Sequence, residues 1–205
     1  MLKTEPTVFI VDDDEAVRDG INQLAKSVDL NAATFASAHE FLDSYDTSQP
    51  GCLILDVRMP GMSGLKLQDK LKEENISLPV IFITGHADVP MAVEALKNGA
   101  FYFIEKPVGD QSLLEHIQDA IIKDANDREK ADGCKAVEEK LALLTPRERE
   151  ILDLVRAGQL NKIVAQELKL SRKTVEVHRA HIMEKMQVDS TAELVTLLNK
   201  VELMQ

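Results

Sequence analysis

The chain has 205 residues and carries 24 Lys and Arg side chains against 35 Asp and Glu, which gives a formal net charge of -11 with 44% hydrophobic residues. This apolar content suffices for one or two cores and excludes a disordered or fibrous protein. No apolar run approaches the roughly 18 residues of a spanning helix, so we expect a soluble, cytoplasmic protein without a membrane partner. Cys52 and Cys134 are too sparse for a disulfide framework and lack the paired spacing of a zinc site.

The charge is unevenly distributed along the chain. Residues 1–122 hold 9 basic and 20 acidic side chains, whereas residues 141–205 hold 10 basic and 9 acidic. Between them, residues 123–140 carry 5 basic and 6 acidic side chains and almost no large apolar ones, a composition typical of a solvated connector. We therefore expect two domains and a linker with these boundaries. A nucleic-acid site is expected only in the C-terminal domain, since the N-terminal domain is strongly acidic.

Short apolar runs in the N-terminal domain predict five strands. Three runs are rich in β-branched residues and two are weaker, and in chain order the five are 8–11, 32–36, 52–55, 80–83 and 101–104. Apolar residues at helical spacing between them predict four amphipathic helices, centred near Leu24, Gln68, Glu94 and Ile117. This alternation predicts an α/β fold with a parallel, doubly wound sheet.

Polar residues follow the predicted strands where each strand ends. They are Asp12, Asp13 and Asp14 after the first strand, Asp56 after the third, Thr84 after the fourth, and Lys106 with Pro107 after the fifth. The carboxyl ends of parallel strands meet at one edge, where such sheets bind ligands. Clustered carboxylates repel one another, so they raise a pKa or recruit a hard divalent cation such as Mg²⁺. Solvated turns would explain any single Asp equally well, but they explain the joint pattern poorly.

Four segments of the first 120 residues or so resemble the receiver domain of bacterial response regulators. They are 11–14, 55–64, 83–86 and 99–107. The resemblance implies a flavodoxin-like (βα)5 fold in which Asp56 accepts a phosphoryl group from a sensor histidine kinase. It also implies that Asp13, Asp56 and the backbone carbonyl of Arg58 hold Mg²⁺ or Mn²⁺, with Asp12 acting through a bound water.

The chemistry suits these residue types. A carboxylate nucleophile forms a reactive acyl phosphate, and a metal ion neutralises charge on the transferring oxygens. Lys106 would contact the phosphoryl oxygens as a point charge, and Thr84 would donate a hydrogen bond to one of them. Lone lysines usually lie at the surface, but the adjacent Pro107 fits the cis peptide bond that directs this lysine inward in the family. The resemblance also implies a switch in which Thr84 moves and the Phe103 ring rotates inward, although an aromatic residue on a strand is often only core.

The connector continues the last helix of the N-terminal domain with good helix formers, which is compatible with one extended helix. Apolar residues at spacings of three and four predict a short packing seam, formed by Cys134, Val137, Leu141 and Leu144. Two heptads are too few for a coiled coil. Gly133 costs about 1 kcal/mol in a helix interior and is either a hinge or a tolerated glycine.

The C-terminal domain has the pattern of four helices. Residues 145–148 combine an N-cap threonine, a proline at the first helical position and a glutamate three residues after the cap. A second helix is predicted over 161–168, and after a three-residue turn Ser171 caps a third over 172–186. Two helices joined by a tight turn are typical of a helix-turn-helix. A fourth helix is indicated around 192–198.

About 60 residues from Leu144 resemble the LuxR-type helix-turn-helix domain of FixJ/NarL-type response regulators. The matching segments are 144–152, Gly158, 161–165 and 171–179. The resemblance implies that Val175 and Ile182 face the core. It implies a groove-facing set that consists of Lys173, Glu176, Val177, Arg179 and Ala180.

Further residues of this domain are expected to contact DNA, mainly through phosphates. They are Lys162, Arg172, Thr174, His178 and Lys185. Such contacts fix register, whereas groove-facing side chains read bases, and Glu176 could accept from a cytosine amino group. An ordinary solvated helix face is the alternative for the basic residues, and a packing role is the alternative for His178. With a domain charge of only about +1, a monomer should bind weakly, so two copies on adjacent half-sites are expected.

These features predict a two-component transcription regulator that is not an enzyme beyond its own phosphorylation and dephosphorylation. The resemblance implies as partners a sensor histidine kinase, promoter duplex DNA, RNA polymerase and, on phosphorylation, a second copy of the chain. A phosphatase of the haloacid dehalogenase type is the first alternative, but Arg58 stands where that class carries its second Asp. The second alternative keeps the receiver and makes the helical domain a protein-interaction or RNA-binding module.

Overall fold

The computed structural model describes residues 5–85 and 88–202, so His86 of the receiver-like segments lies outside the described residues. The chain divides into two compact units, Met1–Arg128 and Glu129–Gln205. Within the described ranges, no helix is both long enough and apolar enough to cross a membrane. A parallel sheet with helices forms the first unit and helices alone form the second, which confirms the predicted fold class.

Five parallel strands form the sheet of the first unit. They are β1 (Thr7–Val11), β2 (Asn31–Phe35), β3 (Gly51–Asp56), β4 (Val80–Thr84) and β5 (Tyr102–Glu105). Their order is β2-β1-β3-β4-β5, the flavodoxin-like arrangement. Every residue of β1, β3 and β4 is buried, whereas β2 and β5 at the edges are partly exposed. The interior strands are apolar apart from residues at their ends, Thr7, Asp56 and Thr84, because the chain covers both of their faces.

Five helices begin in the first unit. They are α1 (Glu15–Lys26), α2 (Ala38–Ser44), α3 (Gly64–Glu73), α4 (Val89–Lys97) and α5 (Asp110–Ala142). The four predicted amphipathic segments correspond to α1, α3, α4 and the start of α5. The short α2 was not predicted, because its seven residues hold too little of a helical repeat. It is fixed by Ser37, which caps it, and by Phe41, which is fully buried and stacks on Tyr45 with ring centroids 5.0 Å apart.

An ion pair with a buried acid ties α5 to the amino end of β3, on the opposite side of the sheet from the predicted ligand site. Asp124 is 1% exposed, and its Oδ2 accepts hydrogen bonds from the Gly51 amide at 2.9 Å and from Arg128 Nε at 2.8 Å. The same guanidinium donates to the backbone carbonyls of residues 47–49. The start of the connector is therefore not solvated as expected, because two of its charged residues bind the loop before β3.

Gly51 is the point at which this loop enters the sheet. Its φ of 152° is in the region that favours glycine. A Cβ at this position would lie 1.8 Å from the carbonyl oxygen of Thr7 on β1. Since no residue with a Cβ can approach so closely, the contact between β1 and β3 requires glycine at position 51.

The second unit consists of the last part of α5 and four further helices. They are α6 (Pro146–Arg156), α7 (Asn161–Glu167), α8 (Arg172–Met186) and α9 (Thr191–Glu202). Val137 and Leu144 are buried in its core, and Cys134 and Leu141 pack against it, as the predicted seam requires. The helix α5 runs through Gly133 without interruption.

The predicted caps of α6 and α8 are observed, whereas α7 ends at Glu167, one residue before the predicted end. Thr145 and Glu148 form the capping box of α6, and Ser171 caps α8 by accepting a hydrogen bond from the Thr174 amide. Val175 and Ile182 are buried in the core of the four helices. The turn between α7 and α8 is therefore short and capped, as in a helix-turn-helix.

Candidate functional site

Two carboxylates meet at one ammonium group beyond the carboxyl ends of the strands. The Lys106 Nζ lies 2.7 Å from Asp12 Oδ2 and 3.0 Å from Asp56 Oδ1. Asp12 is 2% exposed and Asp56 is 6% exposed. The strand ends thus bring the predicted residues of β1, β3 and β5 together at one point.

Local backbone contacts fix Asp12. Its Oδ1 accepts a hydrogen bond from the Asp14 amide at 2.9 Å, and its carbonyl oxygen accepts one of 2.7 Å from Arg18 on α1. Asp14 in turn caps α1 by accepting from the Ala16 amide. The turn after β1 is therefore held both by its own amide and by the helix that follows.

Asp56 is the last residue of β3, and the chain turns tightly beside it. Its Oδ2 accepts a 2.6 Å hydrogen bond from the Arg58 amide. Gly64 begins α3 directly above this turn, and a Cβ there would lie 2.2 Å from the Asp56 carbonyl oxygen. Only glycine allows α3 to approach the strand end so closely.

Burial and the ammonium group act in opposite directions on this site. Burial raises the pKa of Asp56 above its ordinary value, and the hydrogen bond and charge of Lys106 offset part of that effect. Burial would lower the pKa of Lys106, but its hydrogen bonds to Asp12 and Asp56 outweigh burial and raise it. The lysine is therefore a firmly held cation between the two acids.

Thr84 and Phe103 lie on the adjacent strands β4 and β5. Thr84 ends β4, is 1% exposed, and its carbonyl oxygen accepts a 2.9 Å hydrogen bond from the Lys106 amide. Phe103 on β5 is half-buried and packs on Phe82 with ring centroids 6.0 Å apart. The Lys106–Pro107 peptide bond is cis, as the resemblance implies.

The donor set fits a hard divalent cation in its chemistry. Two buried carboxylates already share one cationic partner, which shows that the pocket favours positive charge. Asp13 is exposed next to Asp12, and the Arg58 backbone adjoins the Asp56 carboxylate. Among residues 5–85 and 88–202, no three acidic, histidine or cysteine side chains are grouped so that they could hold a metal ion by themselves. Backbone and water oxygens would therefore complete the coordination.

The helix α8 presents an exposed face at its N-terminal half. Arg172, Lys173, Glu176, Val177 and Ala180 are exposed, and Val177 keeps 47% of its surface accessible. The basic residues at the start of this face suit phosphate contacts, and Glu176, Val177 and Ala180 beyond them suit contact with base edges. This face carries most of the residues predicted to meet DNA.

Two basic residues of α8 are instead engaged within their own unit. Arg179 donates hydrogen bonds of 2.7 Å to Asn161 Oδ1 and to Thr191 Oγ1. Lys185 lies 2.6 Å from Oε2 of Glu148. Both were expected to contact DNA, and the structure shows both held by side chains of other helices.

Lys162, Thr174 and His178 complete the predicted set. Lys162 is exposed near the start of α7, and Thr174 is half-buried with its hydroxyl 2.7 Å from that of Ser171. His178 is half-buried, and its Nδ1 has no hydrogen-bond partner among the residues that the structure describes. Lys162 is therefore accessible to solvent, whereas His178 is half-buried.

Glu148 has a strongly lowered pKa within this unit. Burial alone would raise the pKa, but the ion pair with Lys185 and hydrogen bonds from Thr145 lower it from 4.5 to about 2. Its side chain accepts from the Thr145 amide at 2.8 Å. The carboxylate therefore joins the start of α6 to the end of α8.

Sequence reasoning missed several residues that organise these sites. They are Arg18, Asp124, Arg128 and Gly64 in the first unit and Glu148 as an ion-pair partner in the second. The spacing of Asp124 and Arg128 by four residues in a helical segment was a usable signal. The partners of Arg18 and Gly64 depend on the turn geometry and left no such signal.

Two family models match most of the chain. Residues 8–118 match the response regulator receiver domain, and residues 142–198 match the bacterial regulatory proteins of the luxR family. The chain is a response regulator of the LuxR type. Such regulators join a receiver to a DNA-binding domain, and phosphorylation is the general means of their activation.

Curated relatives span nearly the whole response regulator. It is 42% identical to nodulation protein W of Bradyrhizobium diazoefficiens over 95% of this chain and 86% of the relative. It is 43% identical to the response regulator protein TodT of Pseudomonas putida, with the same two coverages. It is 40% identical to the transcriptional regulatory protein FixJ of B. diazoefficiens, over 96% of each chain.

Solved structures agree with these relatives. The response regulator StyR has 43% sequence identity to this chain and a TM-score of 0.87, over 96% of this regulator and 100% of StyR. Full-length FixJ from B. japonicum has 37% identity and a TM-score of 0.59, over 99% and 100% of the two chains. The predicted family is therefore confirmed, and the phosphatase alternative is set aside, since the family regulates transcription.

Proposed function

We propose that Asp56 is the phosphoacceptor of this regulator and that its phosphorylation controls DNA binding by α8. The observation that carries the proposal is the convergence of Asp12 and Asp56 on the Lys106 ammonium group at the carboxyl edge of the sheet. Asp56 is the acid at the centre of that edge, because it ends the central strand β3. Its nearest cation is the group that would neutralise a transferred phosphoryl group.

The proposed transfer forms a bond between a carboxylate oxygen of Asp56 and phosphorus while the bond from phosphorus to a histidine nitrogen of a sensor kinase breaks. The pair of electrons leaves with the nitrogen. Lys106 holds the carboxylates beforehand and afterwards contacts the phosphoryl oxygens, while Thr84 donates to another oxygen. Phe103 would rotate with Thr84 to report the change.

We assign Mg²⁺ or Mn²⁺ as the cofactor of this pocket. Asp13, Asp56 and the carbonyl of Arg58 would hold it, with Asp12 acting through water. When bound, the ion neutralises negative charge on the transferring oxygens. The buried acids and the existing cationic partner of the pocket support this assignment.

DNA contacts are assigned to the exposed face of α8 and the start of α7. Lys162, Arg172 and Thr174 would meet phosphates, with His178 at the margin. The proposed readers of base edges are Lys173, Glu176, Val177 and Ala180. Exposure of these readers and the capped turn before α8 support the assignment.

The finer organisation of the regulator follows from this function. We propose a receiver over 1–122 that is closed by Asp124 and Arg128 from the start of a linker over 123–140, followed by a DNA-binding domain over 141–205. A sensor histidine kinase, promoter duplex DNA and RNA polymerase are the proposed partners, and a regulator that reads promoters acts in the cytoplasm. Phosphorylation is proposed to produce a homodimer through α4, β5 and α5, where Val93 and Leu96 are exposed apolar residues.

Selection of duplexes from random DNA tests this proposal, with and without a small phosphodonor and Mg²⁺. Wild-type protein should enrich a two-fold related sequence, enrich it more strongly when phosphorylated, and rise in mass to a dimer. Asp56→Asn should remove labelling and the gain in enrichment, whereas the exposed Asp43→Asn should change neither.

Each half of the proposal can fail separately in this experiment. Labelling of Asp56→Asn at the wild-type level would place the phosphoacceptor elsewhere. Enrichment of RNA or of no nucleic acid would favour an RNA-binding or protein-interaction module. A regulator that stays monomeric both free and on DNA would exclude the dimer.

A further inference from the structure

Arg179 bridges α8 to two other helices of the second unit. Its Nη1 donates to Asn161 Oδ1 and its Nη2 donates to Thr191 Oγ1, both at 2.7 Å. Asn161 is the first residue of α7 and Thr191 is the first residue of α9. A single guanidinium therefore connects the middle of α8 to the starts of its two neighbours.

Electrostatics does not explain this placement. The N-terminus of a helix carries partial positive charge, so a cation gains nothing from lying at two of them. Both acceptors are neutral side-chain oxygens. The planar guanidinium fork offers donors on separate nitrogens at fixed angles, so Arg179 reaches an acceptor on each of two helices, a spread that the single nitrogen of a lysine does not offer. The feature that Arg179 supplies is therefore geometry.

Several other side chains of α8 face solvent, whereas that of Arg179 turns towards its own unit. Lys173, Val177 and Ala180 are exposed, whereas Arg179 is half-buried and directs its guanidinium to Asn161 and Thr191 within the unit. A side chain that reads a base edge must reach out of its domain. The direction of Arg179 thus separates it from the side chains that face outward.

We propose that Arg179 is a positioning residue for DNA reading. It fixes the angle of α8 against α7 and α9, so that Lys173 and Val177 enter the groove in register. The inference rests on the proposed DNA binding, and it assigns Arg179 a role in that binding without contact to a base. If α8 can pivot, all of its reading side chains shift together, and discrimination falls across the whole half-site.

Binding measurements on the phosphorylated full-length regulator test this role with two variants. Arg179→Lys keeps the charge and loses the fork, while Thr191→Val removes one acceptor without changing charge or shape. Each should weaken binding to the selected duplex roughly tenfold and leave both the affinity for an unrelated duplex and the salt slope unchanged. The double variant should bind no more weakly than the weaker-binding single variant, because both substitutions disrupt the same contact between residues 179 and 191.

Arg149→Lys serves as the matched control. Arg149 is exposed on α6 and also donates two hydrogen bonds within the unit, to the carbonyl oxygens of Leu141 and Leu144. The same substitution at this position should leave binding to the selected duplex at the wild-type level. Loss of affinity in the control equal to that in Arg179→Lys would overturn the assignment.

Three other results would also overturn it. In Arg179→Gln, which removes the charge, a salt slope reduced by about 0.9 would identify a phosphate contact. Relaxed preference at a single base pair, with Thr191→Val unaffected, would identify a base reader. A lower melting temperature with unchanged DNA affinity in both variants would leave only a structural role. Failure of the wild-type protein to select any duplex would instead refute the proposed function itself.

Discussion

Lys106 donates a 2.7 Å hydrogen bond to Asp12, a residue 94 positions earlier in the chain. The two groups lie together because β1 and β5 end at the same edge of the sheet, on either side of β3 and β4. The ammonium group occupies the position between the acids where a divalent cation would also be attracted. The Lys106 ammonium group and a bound Mg²⁺ would therefore compete for the same two carboxylates.

Lys106→Met should therefore strengthen Mg²⁺ binding by the unphosphorylated regulator. Removing one positive charge next to two buried carboxylates lowers the repulsion of the metal ion, which corresponds to roughly a tenfold gain in affinity. Isothermal titration calorimetry measures it. Lys97→Met, an exposed lysine on α4, is the control, and equal affinities in the wild type and Lys106→Met would contradict the prediction.

Glu148→Gln should destabilise the helical unit above pH 4.5 by about 2 kcal/mol, the typical worth of a charge-assisted hydrogen bond. The folded-state pKa of Glu148 is lowered from 4.5 to about 2. Its ionised form thus contributes stability that is present above pH 4.5 and is lost as the pH falls towards 2.

Calorimetric melting of the full chain across that pH range measures the difference between Glu148→Gln and the wild type. The difference should shrink as the pH falls below 4.5. Glu150→Gln is the control, because Glu150 is exposed and pairs with Arg147 at the surface of α6. A difference that stays constant from pH 7 to pH 3 would disprove the assigned pKa.

Arg128→Met should destabilise the first unit by about 3 kcal/mol, because it leaves the buried Asp124 carboxylate without its cation. The double variant Asp124→Asn with Arg128→Met should recover part of this loss, since an uncharged amide can still accept from the Gly51 amide. Chemical denaturation provides the measurement. Stability of Arg128→Met within 0.5 kcal/mol of the wild type, roughly the range of neutral surface substitutions, would show that the ion pair is unimportant.

Lys173→Ala should weaken DNA binding and reduce the salt slope by about 0.9, the value for one phosphate contact on duplex DNA. Because Lys173 is also a proposed reader of base edges, preference at one position should relax too. Lys135→Ala, an exposed lysine on α5, should leave the slope unchanged. An unaltered slope in Lys173→Ala would exclude contact of this lysine with the backbone.

The interior of the sheet was predictable because the central residues of its strands are apolar. Burial on both faces selects continuous runs such as 52–55 and 80–83, and turn residues mark their ends. The helix α2 was not predictable in this way. Its place depends on Phe41 packing among aromatic residues of β1 and β2, and that contact exists only once the sheet has formed.

The acidic pocket was predictable for a topological reason, whereas the partners of the α8 side chains were not. Strand ends converge in any doubly wound sheet, so Asp12, Asp56 and Lys106 could be grouped from the sequence. The hydrogen bonds of Arg179 join residues 18 and 12 positions away on other helices. Helical spacing gives the face of a residue but not the neighbour that its side chain reaches.

The buried Asp124 carboxylate has a practical consequence for anyone who wishes to isolate the receiver. A fragment that stops at residue 122 would leave the Gly51 amide and the carbonyls before it facing solvent, at the entrance to the central strand. Extending the fragment through Arg128 retains the acid and its guanidinium partner. The shortest piece expected to fold and accept phosphate therefore ends six residues beyond the boundary that hydrophobicity alone would give.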